Sequence, residues 1–160
     1  MIGRRGASLE ELEALYRSRL DAFARVAAAV AGEGARDAVQ DGFATAVRKR
    51  RAFRGDGPLE AWVWRIVVNA ARDHARRHRA ESSGATDAEP PAWPVAEADE
   101  VRAAVAGLPE RQRIAVFLRY YADLDYESIA TALGVKPGTV AATLHAAHAA
   151  LRRDLLEVEP

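Results

Sequence analysis

Two patterns in this 160-residue sequence could do chemistry: histidines one helical turn apart, and arginines interleaved with aromatic rings. His74 and His78, at i and i+4, could clamp a metal ion from one helix face, but no suitably placed third ligand accompanies them or His145 and His148. With no cysteine in the chain, no metal site is expected. No cofactor is expected either, because Arg54-Gly-Asp-Gly57 lacks the Gly-Lys-Ser/Thr ending of a phosphate-binding loop. The second pattern carries more information. Phe53, Trp62 and Trp64 share one segment with Arg54, Arg65, Arg72, Arg76 and Arg77. Cations of this kind could pair with the phosphates of a nucleic acid, and base–aromatic stacking can supply about 1–3 kcal/mol. Trp62 shares a helical face with Leu59 and Ile66 and is expected in the core, which leaves Trp64 as the outward ring.

The whole chain has 23 basic and 23 acidic residues, so any nucleic-acid function must lie in how charge is distributed. Residues 36–80 carry eleven basic against five acidic side chains, a net of +6, while residues 81–105 carry six acids and only Arg102. A basic block therefore abuts an acidic one. The stretch from Glu81 to about Glu100 combines Gly84, Pro90, Pro91 and Pro94 with no periodicity and reads as a flexible acidic linker. Domain boundaries are expected at 8–80, 81–98 and 99–157. Arg4-Arg5 resembles the start of an export signal, but Glu10, Glu11 and Glu13 occupy the place of its apolar stretch. The most apolar run, Ala27–Ala31, is far short of the ~20 residues of a membrane span, so a cytoplasmic protein without membrane insertion is expected.

The elements that must position these residues are helices. Ser8-Leu-Glu-Glu11 has capping-box form and opens an amphipathic run carrying Leu9, Leu12, Tyr16, Leu20, Phe23, Val26 and Val30. A second helix, about 35–51, places Val39, Phe43, Ala46 and Val47 on one face. Pro58 suits the start of a third, reaching about Arg79 and burying Leu59, Trp62, Val63, Ile66 and Ala70. Beyond the linker the pattern predicts helices over 101–106, from Leu108-Pro109 through Tyr121, over 126–133, and from Pro137 with Val140, Leu144, Ala147, Leu151 and Leu155 inward. No segment alternates with period two. The fold class is all-α, two small helical lobes joined by the linker.

Ala130, Gly134 and Val140 have the spacing of a helix-turn-helix: a small residue where two helices touch, a glycine in the turn, and an apolar anchor on the second helix. An ordinary helical hairpin would share part of this pattern.

Residues Phe53-Arg-Gly-Asp-Gly-Pro-Leu-Glu-Ala-Trp62 through Arg77 resemble regions 2.3 and 2.4 of extracytoplasmic-function (ECF) sigma factors, the small sigma-70-type bacterial initiation factors. Asp37-Ala-Val-Gln40-Asp41-Gly-Phe43 resembles their region 2.2, and Leu108–Arg113 with Tyr126–Val140 resembles region 4. The resemblance implies a sigma region 2 three-helix bundle, a sigma region 4 helix-turn-helix, and no catalysis. It implies core RNA polymerase as partner, through the β′ clamp helices and the β-flap, together with promoter DNA and an anti-sigma factor. On this carry-over Asp37, Gln40 and Asp41 face the polymerase, although a solvated helix face is the alternative for the acids. Arg54, Gly55 and Asp56 surround a flipped −10 base, and Trp64, Arg65, Arg72, Arg76 and Arg77 contact the strand, with a solvated basic face as the alternative for the arginines. Asn69 reads a base edge or holds its helix to a neighbour. The linker, with Trp93, threads the polymerase interior or serves as a plain spacer.

The recognition helix departs from the family pattern. Four positions that are usually basic are Ala141, Thr143, Ala146 and His148. The remaining −35 candidates are Lys136, Thr139 and Thr143, with Ala142 and Ala146 able to meet thymine methyls, and Arg111, Arg113 and Arg119 as backbone anchors. Two other readings stay open: a sigma-like adaptor that binds polymerase or an anti-sigma factor without reading promoters, and a stand-alone helix-turn-helix regulator. The second leaves residues 36–80 unexplained.

Overall fold

The computed structural model describes residues 6–81 and 99–156. Trp93 and the rest of 82–98 lie outside the described residues, as does Arg4-Arg5. Helices α1 (Leu9–Ala31), α2 (Ala35–Lys49) and α3 (Leu59–Glu81) precede that gap; α4 (Asp99–Ala106), α5 (Glu110–Tyr120), α6 (Tyr126–Leu133) and α7 (Pro137–Leu156) follow it. There is no strand among the described residues. Short 3-10 turns at Gly32–Gly34 and Arg50–Ala52 close α1 and α2.

The capping box forms as the sequence predicts: the Ser8 N–H donates to Glu11 Oε2 at 2.9 Å and the Glu11 N–H to Ser8 Oγ at 3.1 Å. It also orients the N-terminal segment, whose Gly6 and Ala7 N–H groups donate to the carbonyls of Phe53 (2.7 Å) and Arg50 (2.8 Å). The base of the 53–58 loop is thereby tied to the start of the chain. Pro58 lies one residue before α3, and its carbonyl accepts the Trp62 N–H at 3.4 Å.

Helices α1, α2 and α3 form a three-helix bundle. Its centre is aromatic: Phe23 stacks on Trp64 at 4.0 Å, and Phe43 meets Phe23 and Tyr16 edge-on at 5.0 and 4.9 Å. The buried stripe of α3 is Ala61, Val63, Trp64, Val67, Val68 and Ala71, with Leu59, Trp62, Ile66 and Ala70 only half-buried. The expected face is thus displaced by about one residue. The reason is that α3 has two neighbours, with α1 and α2 on one side and α6 on the other. Leu9 and Leu20 of α1, expected inward, are 49% and 37% exposed.

The second lobe packs α5, α6 and α7 around Ile114, Phe117, Leu118, Ile129, Val140 and Leu144, with α4 against α7. Asp125 caps α6, its carboxylate accepting the Ser128 N–H at 2.8 Å. Helix α6 ends at Gly134, which has φ of 67°. That left-handed conformation is nearly free for glycine and costly for other residues. The helix-turn-helix is therefore built as expected. The two lobes also share one apolar core, with α3 along α6 and α1 along α5.

Candidate nucleic-acid interface

The surface expected to handle single-stranded DNA is a groove at the start of α3. It is lined by Phe53, Arg54, Asp56, Pro58 and Trp62, with Thr131 of α6 at its edge, and encloses about 290 Å³. Phe53 and Trp62 form its aromatic wall, their rings 5.5 Å apart and tilted by 55°. Arg54, Gly55 and Asp56 are exposed on the loop. The expectation for the two tryptophans is reversed. Trp64 is 0% exposed, stacked on Phe23, so it cannot present a face to a base here, whereas Trp62 reaches the groove. A wheel drawn for one neighbour places Trp62 in the core, and no local spacing links it to Phe53, nine positions earlier in the loop.

Along α3, Arg65, Asn69, Arg76 and Arg77 are exposed and Arg72 is half-buried. Spacings of three and four residues put Arg65, Asn69, Arg72 and Arg76 on one flank of the helix. Arg76 pairs with Asp73, and Arg77 Nε donates to the Asp73 carbonyl at 3.4 Å. Arg72 Nε is 3.0 Å from Glu110 Oε1 of the second lobe.

The acids expected to face polymerase lie together on α2: Asp37, Gln40 and Asp41 are all exposed, opposite buried Val39 and Phe43. Residue spacing alone does not show what holds them. His74 of α3 does so for one, with Nε2 2.6 Å from Asp41 Oδ2. This explains the histidine at i without the metal partner that His78 would have supplied, and no His/Asp/Glu group among the described residues could hold a metal ion.

On the helix-turn-helix, Lys136, Ala142 and Ala146 are exposed, and Thr139 and Thr143 are half-buried. Thr143 Oγ1 donates to the Thr139 carbonyl at 2.7 Å, so that hydroxyl is engaged within its own helix. Arg111 is exposed; Arg119 is exposed too, donating to the Leu124 carbonyl at 3.1 Å and lying 5.8 Å from the centre of the Tyr126 ring. Arg113 departs from its expected role as a DNA-backbone anchor. Its guanidinium turns inward, donating to the carbonyls of Ala29 (3.0 Å), Ala106 (3.3 Å) and Leu108 (3.2 Å). Burial lowers its pKa, an effect partly opposed by Glu110. Two of these carbonyls, Ala29 and Ala106, lie in the last turns of α1 and α4, where no partner within the helix remains, and the third, Leu108, lies in the turn before α5.

A family model described as Sigma-70 region 2 matches residues 15–81, and one described as Sigma-70, region 4 matches residues 98–151. The RNA polymerase sigma-H factor of Pseudomonas aeruginosa is 33% identical over 141 residues, spanning 76% of this chain and 72% of that protein. The ECF RNA polymerase sigma-E factor of Escherichia coli K12 is 31% identical over 134 residues, spanning 72% of this chain and 70% of that one. The chain belongs to the ECF sigma factor family. SigM of Mycobacterium tuberculosis, another ECF sigma factor, is 35% identical over 128 residues, of which this sigma factor spans 64% of the relative's length. Two solved structures share the fold. The sigma factor RpoE of Bartonella quintana, crystallised with the anti-sigma factor NepR, matches at TM-score 0.75 and 23% identity over 95% of this chain and 100% of that one. CnrH, solved with the cytosolic domain of CnrY, matches at TM-score 0.71 and 22% identity over 96% and 92%. No helix among the described residues of this ECF sigma factor is long and apolar enough to cross a membrane.

Proposed function

We propose that this ECF sigma factor directs promoter-specific transcription initiation by core RNA polymerase, in the cytoplasm and without catalysis of its own. The lobe at 8–80 docks through Asp37, Gln40 and Asp41, and its 53–58 loop and α3 open and hold the −10 element. The lobe at 99–157 meets the −35 element through α7. The single observation that carries the reading is the Phe53–Trp62 groove beside the arginines of α3. A stacking wall, a polar loop and a row of cations in one place are what capture of an unpaired strand requires. A regulator acting alone would have no use for them.

The test is run-off transcription with core enzyme on genomic fragments. Discrete promoter-specific transcripts are expected. One observation favours the adaptor reading: the outward face of α7 is Ala141, Ala142, His145 and Ala146, with Lys136 as the one cation near its start. Core binding without initiation on any fragment would establish that alternative. A partner that restrains such a factor would be an anti-sigma protein, and co-purification from the native host tests for it.

A further inference from the structure

The two rings of the groove wall have different anchors. Trp62 belongs to α3, whereas Phe53 lies in the loop before it, 5.5 Å from Trp62 between ring centres. That loop is fastened at its ends. At the far end the Pro58 carbonyl accepts the Trp62 N–H at 3.4 Å. At the near end the Arg50–Ala52 turn closes loosely on itself, the Phe53 N–H reaching the Arg50 carbonyl at 3.4 Å. The same carbonyl accepts the Ala7 N–H at 2.8 Å, and the Phe53 carbonyl accepts the Gly6 N–H at 2.7 Å. Among the described residues, 54–57 make no backbone–backbone hydrogen bond. Phe53 is therefore placed by the segment ahead of α1 more than by its own turn.

We propose that residues 6–8 form a strap that sets Phe53 for base capture: Gly6 and Ala7 are positioning residues of the −10 groove, acting through the Phe53 and Arg50 carbonyls and touching no nucleotide themselves. The inference deepens the site described under Proposed function and rests on that reading.

The strap is built to hold one conformation. Gly6 has φ of 90°, a backbone that glycine adopts readily and other residues only under strain. A β-carbon there would stand 3.5 Å from Arg51 Cα, an ordinary contact, so the dihedral and not the space calls for glycine. Ala7 is buried, and the Ser8 N–H is bound to Glu11 by the capping box, which joins the strap to α1. Trp62 is carried by α3 and Phe53 by the strap, so the wall presents one stacking surface only while both supports hold. With the strap in place, the cost of ordering Phe53 is met before a base arrives. A backbone hydrogen bond shifts an equilibrium by about fivefold, and affinity for a strand falls in step with the fraction of chains whose wall is assembled.

The test uses holoenzyme made from core RNA polymerase and the full chain, with a fluorescein-labelled single-stranded DNA selected on the parent holoenzyme from a random-sequence pool. Affinity for core and affinity for the strand are measured separately. Deleting residues 2–5 removes Arg4 and Arg5 but keeps both donors, and should change neither affinity. Deleting residues 2–7 should leave core affinity unchanged and weaken strand binding by about tenfold. Gly6→Val, which keeps its N–H but cannot settle at φ of 90°, should weaken it too. Adding Trp62→Ala to the 2–7 deletion should cost less than the two changes summed, because both act on one wall. In the free chain, amide exchange over residues 50–58 should quicken in the 2–7 deletion, and circular dichroism checks that each chain is folded. Unchanged strand affinity or unchanged amide exchange in a folded 2–7 deletion overturns the strap. So does an equal loss on deleting 2–5, a matching loss of core affinity, or full additivity with Trp62→Ala. A parent that fails to bind core, or binds it and selects no strand, sinks the sigma reading and the strap's role with it, a failure seen in the parent rather than in the variants.

Discussion

Gly42 of α2 lies directly against Val67 of α3: a β-carbon on Gly42 would stand 2.9 Å from Val67 Cγ2 and 3.0 Å from its Cα. The two helices cross there without a side chain between them. One residue away, Asp41 faces solvent and meets His74 of α3. The exposed acids of α2 are thus held at a set height above α3 by a missing methyl group.

Gly42→Ala should therefore destabilise the protein, although alanine is the better helix former. The propensity gain is about 0.5–1 kcal/mol, whereas overpacking against a backbone atom costs about 1–3 kcal/mol. Urea denaturation with an unchanged m-value and a lower midpoint is the expected result. A midpoint at or above the parent's would show that the crossing can widen freely.

The two tryptophans should separate cleanly by assay. Trp64→Ala removes a fully buried ring and should lower stability by about 3–5 kcal/mol. Trp62→Ala should leave most of the stability intact and weaken capture of single-stranded DNA in the polymerase-bound state by about 1–3 kcal/mol. Equal loss of stability in both would contradict the assignment of Trp62 to the groove wall.

Asp125 gives a pH signature. Its carboxylate is held below the usual range by its hydrogen bonds to Ser128, with a smaller contribution from Arg119. A depressed folded-state pKa adds stability above the unfolded value, about 3.9, and that stability is lost as pH falls through the folded value. Asp125→Ala should cost about 1 kcal/mol at neutral pH through the lost cap. The gap between variant and parent should close in acid. Denaturation series from neutral pH down to about pH 2.5 would reveal it, and a gap independent of pH would rule out the carboxylate as its source.

Promoter binding by α7 should be unusually insensitive to salt for its contribution. Thr143→Lys returns one cation to the helix and should steepen the salt dependence of holoenzyme binding at the −35 element by about 0.9 in log–log slope. An unchanged slope would mean that α7 does not reach DNA, in agreement with the adaptor reading.

The elements themselves were legible in the sequence because their signals are local. A capping box at Ser8–Glu11, prolines at 58, 109 and 137, and the Gly134 turn each act within one helical turn, and the helices begin and end near them. Periodicity also identified Val39, Phe43 and Ala46 as buried in α2, but it missed Ala38 and Gly42, and Val47 is only half-buried. The basic segment 36–80 and the exposed acids of α2 were visible for the same reason, since charge and spacing are properties of the chain.

Tertiary structure decided which neighbour each face meets. A wheel for α3 shows an apolar sector but not that two partners flank it, so Trp62 and Trp64 exchanged places. Arginine is the extreme case: its long side chain can meet a phosphate, a carboxylate or a helix-end carbonyl, and the sequence looks alike for all three. Only packing of α5 beside α1 brings Arg113 to Ala29 and Arg19 to Ala122. Local signals determined where the helices are and where charge gathers. Long-range contacts, which no local pattern encodes, selected the arginines that join the lobes.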